Sequence, residues 1–484
     1  MNTGIGSSAM VGKPRRWKGG GRMSEESIRG KLCIEGHLVM KAPLLIGMGE
    51  HDEGNQTDIQ VMKDKNGYAF IPGTSLAGVL RQYIEADNPR AAALIFGTDL
   101  EEPSAYDMEL QSSAIIYDIK LSNATIVHRD SVNLDGLTGT GIKHGKFDYE
   151  VIDQGAHGTF AAELILRNIH EKDRDLLENT LMRLGHHLAD GFHLGARTAI
   201  GFGKAVLEDI NIDVYDFHNA DDTAAYFLDK PSKKRILFKK KASEHAYPAD
   251  SFVIDADFVL EGGLMVRDSD KSHLTGGEAE DGKIDAIMMR DSDGNWRVPG
   301  SSIKGVLRHR CEYILQSLGM DTAMLETLMG PDPQKLRKHL SPKSRSRFLV
   351  DELCLSDAVQ PYQQTRIRID RFTGGTIDSA LFTSMPVWQK EPDKHAMTVH
   401  WEIRQAQSWE IGLALLLLKD AWLGRIALGS GKAIGYGRLR GLKANLYYKG
   451  KPLARMEGQN IPPEEVGKLQ EFVDAFINMK GAGI

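Results

Sequence analysis

Hydrophobic and polar residues follow the same order of patterns in the two halves of the chain. Several segments have the apolar content or the period-two alternation of half-buried strands. The strands predicted from these segments are 32–40, 115–121 and 159–167 in the first half, and 252–260, 348–355, 398–404 and 438–446 in the second. Each half is therefore predicted to contain a β-sheet.

Helical periodicity occurs twice in each half. The first helix follows a Pro-Gly turn, where Leu76 and Leu80 lie at helical spacing, and the second half repeats this pattern. Thr74 or Ser75 is expected to cap this helix, because a side-chain oxygen there can accept an unpaired N–H group. The second helices are predicted at 173–189 and Ser408–Trp422.

The order of these elements predicts the fold class. Strand–helix–strand–strand–helix–strand is the order of ferredoxin-like and RNA-recognition domains. We therefore predict an α+β protein with two tandem ferredoxin-like (RRM-like) domains. The predicted parts are a basic disordered tail (1–28), domain 1 (29–216), a basic linker (217–250), domain 2 (251–447) and a C-terminal helical extension (448–484).

Two motifs recur in the same order in both halves. Residues 71–81 read IPGTSLAGVLR and residues 298–308 read VPGSSIKGVLR, with seven of eleven positions identical at an offset of 227. Residues 194–204 (LGARTAIGFGK) and 428–438 (LGSGKAIGYGR) share six of eleven at an offset of 234. The repeat unit of about 200 residues is too long for a solenoid, so the chain is predicted to be a domain duplication.

Composition narrows the class of protein. The chain has 484 residues, 41% of them hydrophobic, and we find no apolar run long enough for a transmembrane helix. Three cysteines, few and odd in number, do not suit a secreted disulfide scaffold. We therefore expect a cytoplasmic protein without a membrane partner.

The net charge of −6 argues on its face against a nucleic-acid partner. However, residues 1–22 and 230–241 together carry twelve positive charges and no acid, so the remainder carries −18. Such runs are usually solvated segments, and a linker is the simplest role for the second. Whole-chain charge therefore does not exclude RNA.

The glycine-rich segments 194–204 and 428–438 allow three interpretations. A nucleotide-binding loop is disfavoured, because a helix precedes each segment and a strand follows, the reverse of a dinucleotide fingerprint. A structural glycine turn is the second interpretation. The third is close approach of the backbone to RNA phosphates, with N–H groups free to bind oxygen.

Together the motifs resemble the RAMP superfamily, and within it the Cas-seven-like backbone subunits of type III CRISPR effector complexes. The resemblance covers both units, with a further match at Arg366–Thr376 (RIRIDRFTGGT) and a weaker one at 129–141. Two such subunits fused in one chain resemble the type III-D-like arrangement. The resemblance implies CRISPR guide RNA, target single-stranded RNA and other effector subunits as partners. It adds inserted β-hairpin thumbs, placed near 129–158 and 366–388, and long loops to the predicted fold.

Candidate RNA-binding residues follow from the motifs and this resemblance. A local salt bridge is an equally acceptable role for Arg81 and Arg308. The candidates are Ser75, Arg81, Arg129, Gly195 and Arg197 in the first unit, and Ser302, Lys304, Arg308, Arg366, Arg368, Arg371, Gly429, Gly431, Lys432 and Arg438 in the second.

The resemblance places the target-cleaving aspartate in the loop before the first helix, which points to Asp58 and Asp285. They share the offset of 227, and each has a second aspartate six residues later, Asp64 or Asp291. RNA supplies its own nucleophile, the 2′-OH, which must lie in line with the scissile bond. A carboxylate can position that hydroxyl or bind a divalent metal ion such as Mg²⁺. The alternative is that these loop aspartates only cap turns.

Other functions stay open. One is a non-catalytic subunit that only holds the guide, and another is a guide-processing endonuclease with a histidine base. His51 and His273 lie in the loops of the aspartates, although not at matching positions. A zinc site could use His309, Cys311, His339 and Cys354, but no C-x-x-C pair occurs and Cys311 falls on an apolar stripe.

Overall fold

The structure is a computed structural model that describes residues 27–48, 57–98, 111–135, 138–238, 250–268, 284–331, 344–458 and 461–481. Almost all of the predicted basic tail (1–28) lies outside these residues. So do His51, His273 and His339. The two predicted domains, called here the first and second unit, lie largely within them.

The first unit contains ten strands and four α-helices among its described residues. The strands are β1 (Ile28–Met40), β2 (Phe70–Ile71), β3 (Ala114–Ile116), β4 (Ile119–Lys120), β5 (Ile126–Leu134), β6 (Gly141–Ile152), β7 (His157–Arg167), β8 (Phe192–His193), β9 (Lys204–Asp216) and β10 (Lys234–Phe238). The helices are α1 (Gly73–Asp87), α2 (Pro89–Phe96), α3 (Arg174–Asp190) and α4 (Ala220–Phe227).

The second unit repeats this plan and adds elements at its end. Its described strands are β11 (Phe252–Glu261), β12 (Gly263–Leu264), β13 (Ala286–Ile287), β14 (Arg297–Val298), β15 (Phe348–Val350), β16 (Leu353–Cys354), β17 (Val359–Pro361), β18 (Gln364–Ile369), β19 (Thr376–Met385), β20 (Val387–Gln389), β21 (Met397–Ile403), β22 (Arg438–Tyr448) and β23 (Lys451–Glu457). Its helices are α5 (Gly300–Leu318), α6 (Leu325–Met329), α7 (Ser408–Trp422) and α8 (Pro463–Asn478).

The central sheets of the two units have the same topology. The first has the strand order β9-β1-β7-β3 and the second β22-β11-β21-β15, with all neighbours antiparallel. In each sheet the first strand of the unit (β1 or β11) lies between the last strand (β9 or β22) and the third (β7 or β21). The second strand (β3 or β15) lies at the edge. Combined with the element order, this arrangement confirms the α+β, ferredoxin-like prediction for both units.

Each unit buries its own core between the sheet and the two long helices. In the first unit the sheet contributes Leu32 and Phe160, and the helices contribute Leu80 and Leu184. The second core is likewise formed by its sheet and helices, and it includes Cys311 on the buried face of α5. The interpretation of Cys311 as a core residue is confirmed.

A β-hairpin is inserted into each unit, as predicted. The first hairpin consists of β5 and β6, and the second hairpin consists of β18 and β19. Each hairpin precedes the third strand of its central sheet, β7 or β21, in the chain. Its two strands lie outside that sheet. The hairpins are therefore appendages that the ferredoxin-like units present to their surroundings.

Part of the predicted linker is folded, which corrects the prediction for 217–250. Residues 217–238 contain α4 and the edge strand β10, which pairs with β9. Ile236 and Phe238 pack against the first core, while Lys234 and Arg235 pair with acidic side chains. Burial alternates along β10, where Ile236 and Phe238 face the core and Leu237 is exposed, although the sequence itself does not alternate between apolar and polar residues.

The predicted helix caps also differ from the structure. Helix α1 begins at Gly73, and its first N–H donates to the Asp118 carboxylate at 2.7 Å rather than to Thr74 or Ser75. This cap is 45 residues away in the chain. The predicted C-terminal helix (463–477) is confirmed as α8, but the extension predicted as helical (448–484) begins with β23, which pairs with β22.

Candidate functional site

Asp58 lies on the surface, in the loop between β1 and β2, against the first hairpin. Its Oδ2 accepts the backbone N–H of Asp148 on β6 at 2.9 Å, and its own N–H donates to Oδ1 of Asp148 at 3.0 Å. The next residue, Ile59, continues the contact in a parallel bridge to Tyr149. Asp58 is therefore fixed at the side of the hairpin.

Asp285 occupies the same position in the second unit. Its Oδ2 accepts the backbone N–H of Thr383 on β19 at 2.7 Å, and its N–H donates to the Thr383 carbonyl at 2.8 Å. The next residue, Ala286, pairs in parallel with Ser384. Both aspartates thus contact the returning strand of a hairpin, 90 and 98 residues away along the chain.

The second aspartate of each loop has a different task. Asp64 accepts the N–H groups of Asn66 and Tyr68 and so caps a local turn. Asp291 caps the matching turn, and its buried carboxylate also binds Arg297 at 2.6 Å. Turn capping therefore accounts for the second aspartates, whereas Asp58 and Asp285 make long-range contacts instead.

The terminal loops, residues 194–204 and 428–438, reach the same hairpins. Arg197 lies over the Tyr149 ring at 4.2 Å, beside the residue that holds Asp58. In the second unit Arg366 of β18 donates to the Tyr436 hydroxyl at 2.5 Å and stacks on its ring. Each hairpin base therefore combines an exposed aspartate with an arginine that joins the hairpin to the terminal loop.

The tip of the second hairpin faces solvent. Phe372 is 99% exposed, and Arg368 and Arg371 are exposed as well. Asp370 shapes the turn by accepting the N–H groups of Phe372 and Thr373, which lower its pKa. Two cations and an aromatic ring are thus available for an external partner.

Two of the predicted RNA-binding residues lie instead in the interface between the units. Arg129 forms a buried bidentate pair with Glu352, with Nη2 and Oε1 separated by 3.0 Å. Lys304 donates to the carbonyls of Ala199 and Phe348 and to the Ser346 hydroxyl. Burial lowers the pKa of Lys304 to about 7. We therefore assign structural roles to Arg129 and Lys304.

The glycines of the terminal loops follow the structural interpretation. Gly195 and Gly429 have φ values of +73° and +72°, and a Cβ atom there would lie 2.4 Å from the Leu45 carbonyl oxygen and 2.2 Å from that of Met265. These close approaches hold the loop to its own unit. Gly431 has φ +80°, in the left-handed region.

The remaining RNA-binding candidates lie on α1 and α5, in the second terminal loop, or at the start of β22. Arg308 donates to Glu312 and to the Gly330 carbonyl, so the local salt-bridge interpretation describes it. Ser75, Arg81 and Ser302 are half-buried on α1 and α5. Lys432 is exposed, and Arg438 lies 4.0 Å from Glu261.

Asp148, Thr383 and Glu352 were not among the residues predicted from the sequence. These residues lie outside the repeated motifs, and their roles depend on contacts made across long chain separations. No local pattern marks them, although the shared offset of Asp58 and Asp285 indicated that their surroundings would match.

Two tandem ferredoxin-like units, each with an aspartate held against an inserted hairpin, define a duplicated α+β protein. The chain belongs to the RAMP superfamily, whose sequence model matches residues 37–206 and again residues 271–440. Among the described helices, none combines the length and apolar character needed to cross a membrane.

Two known proteins resemble parts of the chain. The CRISPR system Cms endoribonuclease Csm3 of Methanocaldococcus jannaschii is 25% identical over 221 residues, which cover 39% of this chain and 84% of that protein. A chain from a solved assembly, described as the type III-B Cmr-beta cryo-EM structure of the apo state, is 11% identical with a TM-score of 0.29. That match covers 36% of this chain and 96% of the other.

Proposed function

We propose that the chain is a double backbone subunit of a type III CRISPR effector complex, which binds guide RNA and cleaves complementary target RNA once per unit. The observation that carries the proposal is the equivalent placement of Asp58 and Asp285, each of which accepts a backbone N–H from the returning strand of its hairpin. The printed name of the Csm3 relative, an endoribonuclease, supports the activity. That relative matches 39% of this chain, about the share of one unit.

The chemistry uses the aspartates as positioning groups. One oxygen of each carboxylate accepts a hairpin N–H, and a carboxylate has lone pairs for further hydrogen bonds. The second oxygen can accept the 2′-OH of a target nucleotide and hold it in line with the adjacent phosphate. The hairpin next to each aspartate would fix the RNA backbone at the same point.

A divalent ion such as Mg²⁺ suits the donor type of these sites. Mg²⁺ is commonly held by one or two carboxylates together with substrate phosphates. Among the described residues, no group of three or more metal-ligating side chains occurs. Asp58 in the first unit and Asp285 in the second would supply the protein ligands. When bound, the ion would stabilise the charge that develops on the phosphate.

The RNA contacts that we propose lie around the hairpins and terminal loops. Arg197 and Arg366 lie at the hairpin bases, and Arg368, Arg371 and Lys432 are exposed. Phosphate contacts position RNA without reading its sequence, which is left to pairing with the guide. The acidic remainder of the chain does not oppose this, because exposed charges beyond about 8–10 Å are screened.

The interface between the units supports assembly with further subunits. In the first terminal loop, a Cβ atom at Gly201 would lie 2.3 Å from the Glu352 nitrogen of the second unit. The matching Gly435 of the second loop has no described atom within 4 Å of that position, and Ile434 is 54% exposed. We propose that this second loop contacts another subunit of the complex.

The test uses the complex reconstituted with a guide and a matching end-labelled target. We expect Asp58→Ala and Asp285→Ala each to remove a different cut while target binding is unchanged. Asp474→Ala, a change of an exposed aspartate on α8, serves as the matched control and should keep both cuts. The second candidate, a non-catalytic scaffold, is favoured if neither aspartate variant alters the products.

A further inference from the structure

We propose that Asp148 is a positioning residue for Asp58, and that the second site achieves the same positioning with backbone atoms alone. This inference rests on the proposed function, because it concerns the cleavage site of the first unit. It predicts that a single side chain outside the repeated motifs controls one cut and leaves the other unaffected.

Asp58 and Asp148 form a reciprocal pair of hydrogen bonds in the first unit. The Asp148 carboxylate accepts the N–H of Asp58, while the Asp148 N–H donates to the Asp58 carboxylate. Asp148 lies on β6, where it pairs across the first hairpin with Asp130. The hairpin strand thus holds both the main chain and the carboxylate of Asp58.

At the matching position of the second unit, Asp285 is held by backbone atoms of Thr383 and not by a side chain. In the second unit the Thr383 carbonyl accepts the Asp285 N–H, and the Thr383 N–H donates to the Asp285 carboxylate. The Thr383 hydroxyl is bonded to the Thr365 hydroxyl at 3.1 Å and takes no part in this contact. Replacing the side chain of Thr383 therefore leaves both bonds to Asp285 in place.

Loss of the Asp148 carboxylate should slow the first cut. Asp148→Ala keeps the N–H that binds the Asp58 carboxylate but removes the acceptor of the Asp58 N–H. Asp58 then loses one of its two hydrogen bonds to Asp148, so its carboxylate moves relative to the target backbone. A displacement of about 1 Å can reduce the rate of a positioned reaction about 100-fold. We expect the first cut to slow by about 10- to 100-fold.

A conservative variant separates positioning from other roles. Asp148→Asn keeps a side-chain oxygen that can accept the Asp58 N–H, but it has no negative charge. If Asp148 acts as an acceptor, the Asn variant restores the first cut to within about threefold of the original rate. A general base at this position would not be replaced by Asn, because the amide does not take up a proton at neutral pH.

The experiment measures single-turnover rates of both cuts in one target molecule, together with target affinity. We expect Asp148→Ala to slow the first cut only, Asp148→Asn to restore it, and Thr383→Ala to leave the second cut unchanged, all at unchanged affinity. An unchanged first cut in Asp148→Ala, equal slowing of both cuts, or an Asn variant as slow as the Ala variant overturns the inference.

A readout without cleavage distinguishes failure of this inference from failure of the proposed function. Hydrogen exchange at the Asp58 amide should accelerate at least tenfold in Asp148→Ala and remain unchanged at the Asp285 amide. If the unaltered complex makes no cut but exchange responds in this way, the contact is right and the proposed function is wrong. If exchange at Asp58 does not respond, the positioning role of Asp148 is refuted.

Discussion

Removing the Glu352 side chain should strongly destabilise the folded protein, because its partner Arg129 would become an unpaired buried charge. The two side chains are only 3% and 2% exposed and form a bidentate pair between the units. Arg129 also packs over the Phe202 ring, with 5.5 Å between guanidinium carbon and ring centroid. Breaking such a pair by removing one partner costs about 3–5 kcal/mol. Glu352→Ala should lower the free energy of unfolding by that amount.

The assay is urea unfolding followed by tryptophan fluorescence and circular dichroism. The control is the double variant Arg129→Met/Glu352→Leu, because replacing both partners by apolar side chains is often neutral or stabilising. A loss below about 1 kcal/mol in Glu352→Ala, or a double variant as unstable as the single one, would refute the reasoning. Each aspartate contacts its own hairpin, so both cuts should persist where the single variant is folded.

Two further predictions concern the same interface. Gly300→Ala should destabilise the protein by about 1–3 kcal/mol, because the added Cβ would lie 2.1 Å from a backbone oxygen of the first unit. Gly305→Ala, where no described atom lies within 4 Å, should instead gain about 0.5–1 kcal/mol in the same unfolding assay. Burial, aided by the positive charge of Arg404, lowers the pKa of His193 to about 4. The unfolded state therefore binds more protons between pH 6.5 and 4, and stability should fall as pH falls through that window. His193→Gln should reduce this pH dependence, and an unchanged pH profile would contradict the assignment.

The fold was predictable because its signals are local and occur twice. Strand alternation, helical spacing and the two duplicated motifs each depend on neighbouring residues, and their shared offsets tie the halves together. The basic run at 230–241 was harder to interpret, because its charge suggested a solvated linker. Ile236 and Phe238 face the core with the apolar Leu237 exposed between them, and pairing with β9 supplies the hydrogen bonds that stabilise β10.

The candidate site was predictable only in part. Asp58 and Asp285 could be selected through the resemblance to the RAMP superfamily, and their matching positions before the repeated Pro-Gly motif supported the choice. Arg129 and Lys304 resembled RNA-binding cations, but a basic residue facing a second domain is indistinguishable in sequence from one facing a phosphate. The roles of Asp148 and Asp118 depend on contacts across 90 and 45 residues, which no short-range pattern encodes.

The most direct test of the central claim is cleavage of a guide-matched target by the complex carrying Asp58→Ala/Asp285→Ala, with target binding measured in the same sample. The account predicts that both cuts assigned to this chain disappear while the target is bound as tightly as before. Retention of both cuts at full rate by the double variant would contradict it.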